Sequence, residues 1–529
     1  MISTMDDFQL IRNSSFKSAS LLYVAVAICS ALLFYKYCFP RHTLPLPPGP
    51  VPLPVIGNLH QLTTGDPFDK IKQWHQKYGP LISFRVGQRT VIVIGSYKIA
   101  HDLLDKQSAV YSSRPEFHIA SKHLGRHMFI PVMPYGGKFN AHRRVITSLL
   151  TPVMVKRYQY VQDIESKQAV HELLASHDFS LIFERFVTSL QFTLAYGMQL
   201  ESVERPEISE MMHIAHALVD GVKSNAITSV VELFPVLDRL PQFLAPWKRF
   251  WGERYHRTTK FYLRSLGYSR TEHKLSSWTW TREVMSAQQH VGEMSVTEIA
   301  HLVGTVNAAG VESTPKTLRT AIKALLVDPT VTQRAQQEID DVVGSDRLPG
   351  FEDRPRMPYI DALIKEIFRW QPLMPLSMPH STDTDQEYMG YRIPKGSVIM
   401  PNNDEMVYDS NICQEPREFK PERWLETPDL QVFGPFGHGR RKCPGEYLAM
   451  NSLFIIISRI LWGYNIKYAV RDGRTVEVGV WDIDNKFTSA PAPFEAFFEV
   501  RDEHRRRIIE QEFSSIEKDV SQILRKVAP

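Results

Sequence analysis

The chain has 529 residues, with 62 Lys and Arg against 58 Asp and Glu, a net charge of +4. A balance that weak, with no basic stripe, argues against nucleic acid as a partner, and four cysteines rule out a disulfide framework. Cys29 and Cys38 lie in or beside an apolar segment, which leaves Cys413 and Cys443 to a body that reads as residing in a reducing compartment.

After a leader over residues 1–17, SASLLYVAVAICSALLFY runs between Lys17 and Lys36 as 18 uncharged residues. That is close to the roughly 20 a helix needs to cross a bilayer, and it predicts a transmembrane anchor over 18–39. A cleaved secretory signal is the rival reading, but the bulky FYKYCFPRH that follows offers no small-residue cleavage site. Arg12 and Lys17 before the span balance Lys36 and Arg41 after it, so flanking charge does not orient it. The Asn13 sequon and the reduced cysteines of the body both favour a lumenal N-terminus and a cytosolic body. Residues 40–58 include LPLPPGPVPLPVIGN, whose prolines predict a stiff, extended hinge setting the body's distance and tilt from the membrane.

LISFRVGQRTVIVIG, residues 81–95, reads as a two-stranded hairpin, and most of the chain onward to about residue 370 reads as helix with short Pro or Gly breaks. The longest helix starts at Ser295, where Ser295 and Glu298 make a capping-box pattern, and stops at Asp328-Pro329. Its length is about 50 Å at about 1.5 Å per residue. In its middle, Ala309 and Gly310 predict close approach by something large and flat. Pro315 predicts an opening or kink, leaving Glu312, Ser313 and Thr314 beside a freed carbonyl; a solvated surface turn is the bland alternative.

Glu366 and Arg369 share a helix face at i, i+3. The spacing alone is weak, since Glu503 and Arg506 repeat it in a tail that reads as solvated. With Arg423 of FKPERW available to the same glutamate, the first pair predicts a buried bidentate network. Near the end stands PFGHGRRKCPGEYLA, residues 435–449, with Cys443 framed by glycines and basic residues.

Taken together, these residues resemble the cytochrome P-450 superfamily. Phe436, Gly439, Arg441, Cys443 and Gly445 fill every fixed place of Phe-x-x-Gly-x-Arg-x-Cys-x-Gly. The anchor and PPGP hinge, AGVES in the long helix, Glu366-Ile-Phe-Arg369 and Pro421-Glu-Arg-Trp424 follow in family order. The resemblance implies a fold that is mainly α with smaller β-sheets, a catalytic domain over 59–501, and haem b (iron protoporphyrin IX) with Cys443 as thiolate ligand to the iron. Such a ligand favours O–O cleavage, and nearby glycines let the loop wrap close to the sulfur with N–H groups aimed at it. Arg441, Arg143 and His380 look like the propionate partners, and Ala309 and Gly310 like the haem-facing part of the long helix. Glu312 and Ser313 match the acid and alcohol that deliver protons, with Thr314 able to share the task. The chain departs from the commoner pattern in Ser for Thr, Glu for Asp, and Phe139 where many relatives carry Trp.

The resemblance further implies a monooxygenase in the endoplasmic reticulum membrane, single-pass, with its catalytic domain facing the cytosol. Electrons would come from NADPH through NADPH-cytochrome P-450 reductase, with cytochrome b5 as a further donor, and a basic surface at Arg440, Arg441 and Lys442 would receive the reductase. A haem-thiolate isomerase or dehydratase is the alternative, and a non-enzymatic haem protein the third reading. The sequence is most similar to fungal secondary-metabolism monooxygenases. The pocket would take a bulky lipophilic natural product, such as an aromatic polyketide, terpenoid or indole alkaloid, against the loop RPEFHIASKHLGRHMFIPVMP over residues 114–134, Val303, Val306, Asn307, the 374–378 stretch including Leu376, and Phe487 with Thr488. In a C-terminal extension over 502–529, Ile509, Phe513, Ile516, Val520, Ile523 and Val527 make a heptad-like stripe. Packing on its own domain is the simpler expectation, a partner contact the other.

Overall fold

The computed structural model of the protein describes residues 44–64, 66–222, 231–269, 278–291, 294–484 and 487–529. The expected leader and anchor lie outside these residues; among the described residues no helix is long and apolar enough to cross a membrane. Contacts divide the chain into a small unit, residues 44–46 with Glu387–Ile393, and a large one, Pro47–Gln386 with Pro394–Pro529. In the small unit the Arg392 N–H donates to the Pro45 carbonyl at 2.8 Å.

Proline sets where the helices of the large unit begin. Pro67–Tyr78, Pro152–Glu172, Pro206–Val222, Pro246–Tyr268, Pro329–Val343 and Pro358–Trp370 all start on one, at the position where a missing N–H costs nothing. The residue before it often caps: Asp66 accepts from the Phe68 N–H at 2.8 Å, and Asp328 from those of Thr330 and Val331, each at 3.1 Å. The expected hairpin forms, Leu81–Val86 pairing with Arg89–Ile94 around a two-residue turn in which Gly87 takes φ +60°. Val398–Pro401 extends it in parallel and His380–Ser381 closes the four-stranded sheet.

The proline-rich stretch departs from expectation. From Pro47 onward it is fastened to the first strand: Ser83 donates through Oγ to the Pro47 carbonyl at 2.6 Å and through its N–H to the Pro48 carbonyl at 2.9 Å. Asn58 ties both ends, donating to the Val51 carbonyl and accepting from the Arg85 N–H. Gly49 is required here, because a Cβ on it would lie 1.7 Å from the Ser83 carbonyl oxygen. Carbonyls that prolines keep out of any helix are thus satisfied by a strand, so residues 47–58 belong to the catalytic body, which begins before the expected boundary at 59.

The long helix is Val296–Val327, with both capping-box bonds at Ser295 and Glu298 present and Asp328 ending it, as its sequence signals require. It runs unbroken through Pro315, so the expected opening does not occur. The helix packs against Phe179–Tyr196, Pro206–Val222, Pro246–Tyr268 and Glu446–Gly463, and Pro315 itself is buried.

The C-terminal extension forms two helices, Glu503–Ser514 and Val520–Val527, each capped by an aspartate, instead of one continuous heptad helix. Both pack on Pro152–Glu172. Ile509, Ile523, Leu524 and Val527 join the main core, and Phe513 stacks on His171 at 3.9 Å. Packing on its own domain is what the structure shows. Deleting residues 503–529 removes these four buried side chains, each stabilising by about 1.5–3 kcal/mol. It is expected to lower Tm by at least several degrees in a thermal melt.

Candidate functional site

The Cys443 loop is shaped by its glycines and by one aspartate. Gly437, at φ +77°, donates to the Gly434 carbonyl at 2.9 Å, and the Cys443 N–H closes the loop on the Phe436 carbonyl at 2.7 Å. The Phe436 ring meets Phe368 edge-on at 5.1 Å, anchoring the loop to Pro358–Trp370. At Gly439, φ is +52° and a Cβ would strike the Leu104 carbonyl oxygen at 2.2 Å. That closeness lets Asp105 accept from the Gly439 N–H at 2.7 Å and bond to His438 Nδ1 at 2.9 Å. Burial pushes the Asp105 carboxyl up, but the His438 and Gly439 bonds outweigh it and hold it down at about 2. Asp105→Asn is therefore expected to destabilise the protein by about 1.5–3 kcal/mol, the worth of hydrogen bonds to a charged group. Because the folded value lies below the ordinary 3.8, this stabilisation is present above 3.8 and is lost as pH falls towards 2. Urea titrations of both proteins should converge over that window.

The Cys443 thiol is exposed although protein atoms surround it deeply, so the space it opens on is internal. Burial pushes the thiol up, while the Gly445 N–H and the Arg143 guanidinium pull it down. A Cβ on Gly445 would lie 3.8 Å from Sγ, so this glycine's service to the sulfur is its N–H, not space. On the long helix an accessible stripe of Val306, Ala309, Gly310 and Ser313, spaced i, i+3, i+4, i+7, interrupts burial on every other side. Ala309 and Ser313 are open on this stripe. Gly310, expected to admit a flat ligand, instead makes room for a neighbouring helix, since its Cβ would lie 1.7 Å from Gln191 Nε2.

Three arginines around this space form no ion pair among the described residues. Arg441 donates from Nε to the Ser112 carbonyl at 2.6 Å and from Nη2 to the Met133 carbonyl at 2.7 Å. Its guanidinium stacks 3.6 Å from the centroid of Phe139, and its Nη1 is buried with no partner. Burial, then Arg143, lowers Arg441 to about 9. Arg114 is buried against the Pro131, Met378 and Pro379 carbonyls. His380 bonds through Nδ1 to the Tyr111 carbonyl at 2.8 Å, and burial followed by Arg114 drives it well below its ordinary value. Arg143 donates to the Lys442 carbonyl. Among the described residues none of the three arginines forms an ion pair. Buried cations left unpaired are costly, and a bound dicarboxylate relieves that cost. The thiol, the accessible helix stripe and the orphaned Nη1 all fit a haem with its two propionates. Burial and Arg114 both disfavour the charged form of His380 while no anion stands beside it. Arg114, which the sequence does not single out among the propionate partners, is a further buried guanidinium next to His380 and Arg441.

Glu312 and Ser313 point different ways. Ser313 Oγ donates to the Ala309 carbonyl at 2.9 Å on the open stripe. Glu312 is buried, its Oε1 accepting from Lys316 Nζ and from Thr488 Oγ1 at 2.9 Å, while Lys316 also donates to Thr488 at 2.8 Å. Thr314 is buried. The Glu312-to-Lys316 spacing of four was legible as a helical ion pair; the arrival of Thr488 required the tertiary fold.

Glu366 lies at the centre of the expected network. Arg369 grips it with Nε at 2.8 Å and Nη2 at 2.7 Å, and Arg423 Nε adds a third bond at 3.2 Å. All three are buried, whereas Glu503 and Arg506 are 74% and 38% exposed at 3.4 Å. The same spacing thus yields two environments, as their contexts imply.

Of the expected substrate positions, Val306 is on the accessible stripe and Phe487 is half-buried. Val303 is packed in the core, and buried Asn307 donates weakly to the Val303 carbonyl at 3.4 Å and lies against Tyr196. Leu376, expected to line the pocket, packs against the small core cluster that includes Trp74, Phe84 and Val398, and it bridges Asn402, while Met378 packs against the main core two residues on. Arg441, expected on a reductase-facing surface, turns inward; Arg440 donates to the Tyr135 hydroxyl, and Lys442 pairs with Glu446 at 2.7 Å.

Comparisons with known proteins agree with this geometry. The family described as Cytochrome P-450 matches residues 47–491. Cytochrome P-450 monooxygenase aneD of Aspergillus aculeatus is 39% identical over 490 residues, 91% of this chain and 93% of its own. Cytochrome P-450 monooxygenase drtD of Aspergillus calidoustus is 40% identical, over 94% of each. A solved zebra fish cytochrome P-450 with abiraterone shares the fold at a TM-score of 0.68 and 23% identity, covering 83% of this chain and all of that one. A loop that holds Cys443 open to an internal space ringed by unpaired cations is what a haem-thiolate enzyme requires, and the chain belongs to the cytochrome P-450 monooxygenase family.

Proposed function

We propose that this protein is an endoplasmic reticulum enzyme, anchored by residues 18–39 with its catalytic domain in the cytosol, that inserts one oxygen atom of O2 into a bulky lipophilic natural product. The observation that carries the reading is the deep yet accessible Cys443 thiol beside the unpaired Arg441 Nη1. When bound, haem with a thiolate ligand supplies the cleavage of the O–O bond. Cys443 provides the thiolate, the Gly445 N–H tempers it, and Arg441, Arg114 and Arg143 hold the propionates. Ser313 presents its hydroxyl on the open helix face, and Glu312 stands next to it in sequence as the acid. Val306 and Phe487 border the substrate. Retention of an acid and an alcohol here speaks for oxygen activation over the isomerase or dehydratase reading.

Electrons come from NADPH through the reductase, with cytochrome b5 as a second donor. The exposed bases Arg440, Arg144 and Lys442 near the thiolate loop suit an acidic flavoprotein, with association that weakens in salt. Fungal relatives that are monooxygenases support a secondary metabolite as substrate. The test is incubation of microsomes carrying this protein with NADPH, reductase and a panel of polyketides, terpenoids and indole alkaloids. A mass gain of one oxygen on a panel member is expected; conversion without NADPH or oxygen would favour the isomerase reading.

A further inference from the structure

The carboxylate of Glu312 is asymmetrically served. Its Oε1 accepts from both Lys316 and Thr488, while its Oε2 is buried and accepts no hydrogen bond. The Nε2 of His216 lies 3.5 Å from that oxygen, and the side chain of His216 is 52% exposed while that of Glu312 is 7%. One imidazole therefore reaches from solvent to the idle oxygen of a buried acid. Lys316, at i+4 on the same helix, and Thr488 hold the other oxygen fixed. Glu184, Asp178 and Arg319 are the further charged groups around the cluster, and Arg319 forms no ion pair with Glu312 among the described residues.

We infer that His216, on Pro206–Val222, is the solvent-side proton relay to Glu312. Imidazolium Nε2–H passes its proton to Glu312 Oε2 after an approach of a few tenths of an ångström. The O–H bond forms as the N–H bond breaks, the neutral ring takes a new proton from hydronium or a buffer acid, and Glu312 returns to carboxylate when it releases its proton inward. Each cycle moves one proton inward and changes no redox state. His216 is a positioning and relay group, since it touches the acid and not the reacting atoms. This inference rests on the proposed use of Glu312 as the acid.

Two measurements test it. The first reads the contact itself by infrared spectroscopy: the carboxylate band that disappears in Glu312→Gln is expected to shift in His216→Phe. The second follows NADPH-supported turnover of the substrate found by mass gain. His216→Phe and His216→Ala are expected to lower kcat roughly tenfold at unchanged KM, below the full worth of a general acid, about 10²–10⁴. They are also expected to raise the solvent isotope effect. In His216→Ala the rate should rise with the concentration of phosphate buffer, which a purely structural role would not produce. An unshifted carboxylate band, or kcat and isotope effect like the wild type's, overturns the relay. A fall in kcat without buffer dependence overturns it too. Absence of oxygen-dependent turnover in the wild type would instead overturn the proposed function, leaving the infrared result to decide the contact.

Discussion

Cys443→Ala is expected to abolish the thiolate signature in the carbon monoxide difference spectrum and to reduce turnover to the detection limit, while leaving the chain folded. The side chain carries almost no structural duty: its thiol is exposed, and the bond that closes the loop belongs to its backbone N–H and the Phe436 carbonyl. Substitution away from buried contacts usually changes stability within about 0.5 kcal/mol. Cys443→Ser sharpens the test, because it keeps the shape of the side chain but offers a hydroxyl that does not ionise as a thiol does. The other body cysteine, Cys413, is 1% exposed and accepts from Arg423 Nη1 at 3.1 Å, so it has no open face to offer. A wild-type carbon monoxide spectrum from Cys443→Ala, with far-ultraviolet circular dichroism intact, would remove Cys443 as the ligand.

Glu366→Gln is expected to cost about 3–5 kcal/mol, the usual loss when one partner of a buried ion pair is removed. The carboxylate accepts from Arg369 twice, from Arg423, from the Trp424 indole at 2.9 Å and from the Lys420 N–H at 2.9 Å. The amide replacement removes the charge and puts an N–H where an acceptor stood. Two buried guanidiniums would then lack an anion, and the segment from Val407 to Glu418, whose carbonyls they also bind, would lose its clamp. Loss of that much from a marginally stable protein should appear as poor accumulation and a large drop in the urea midpoint. Glu503→Gln is the internal control. It repeats the i, i+3 pairing on an exposed helix, and its change should stay within about 0.5 kcal/mol. Equal effects at both positions would refute the assignment of the loss to burial.

Features encoded by neighbours in sequence were legible before the fold was known. Ser295 with Glu298, Asp328 with Pro329, the hairpin around Gly87 and the bidentate Glu366–Arg369 pair each depend on contacts within a few residues or on a second partner that the sequence also displays. Readings failed where a side chain's direction depends on what packs from afar. Gly310 looked like space for a ligand, but Gln191 of another helix fills it. Leu376 looked like pocket lining, but an extended segment alternates its faces, and pairing with Asn402 decides which face is which. Pro315 looked like an opening or kink, and the helix runs on through it. Arg114 was legible only as the start of a pocket-lining loop and His216 not at all, because their partners lie over 200 and nearly 100 residues away. The thiolate loop was the easiest to read, since its constraints, Gly437 and Gly439 at positive φ and a backbone bond from Cys443 to Phe436, lie within one short segment.

The two C-terminal helices have a consequence for how the protein is made. They cover Pro152–Glu172 with residues that leave the ribosome after the whole catalytic domain, so that face of the core waits, uncovered, until residues 503–527 have emerged. Most of the polypeptide can gather its helices during translation, but this seal is placed only once residues 503–528 have emerged, when Arg157 can donate to the Ala528 carbonyl and Lys526 can reach the Tyr160 hydroxyl. A premature stop codon shortly after residue 501 would therefore leave every residue of the haem site encoded and still yield a chain with an apolar scar, prone to capture by chaperones or to aggregation.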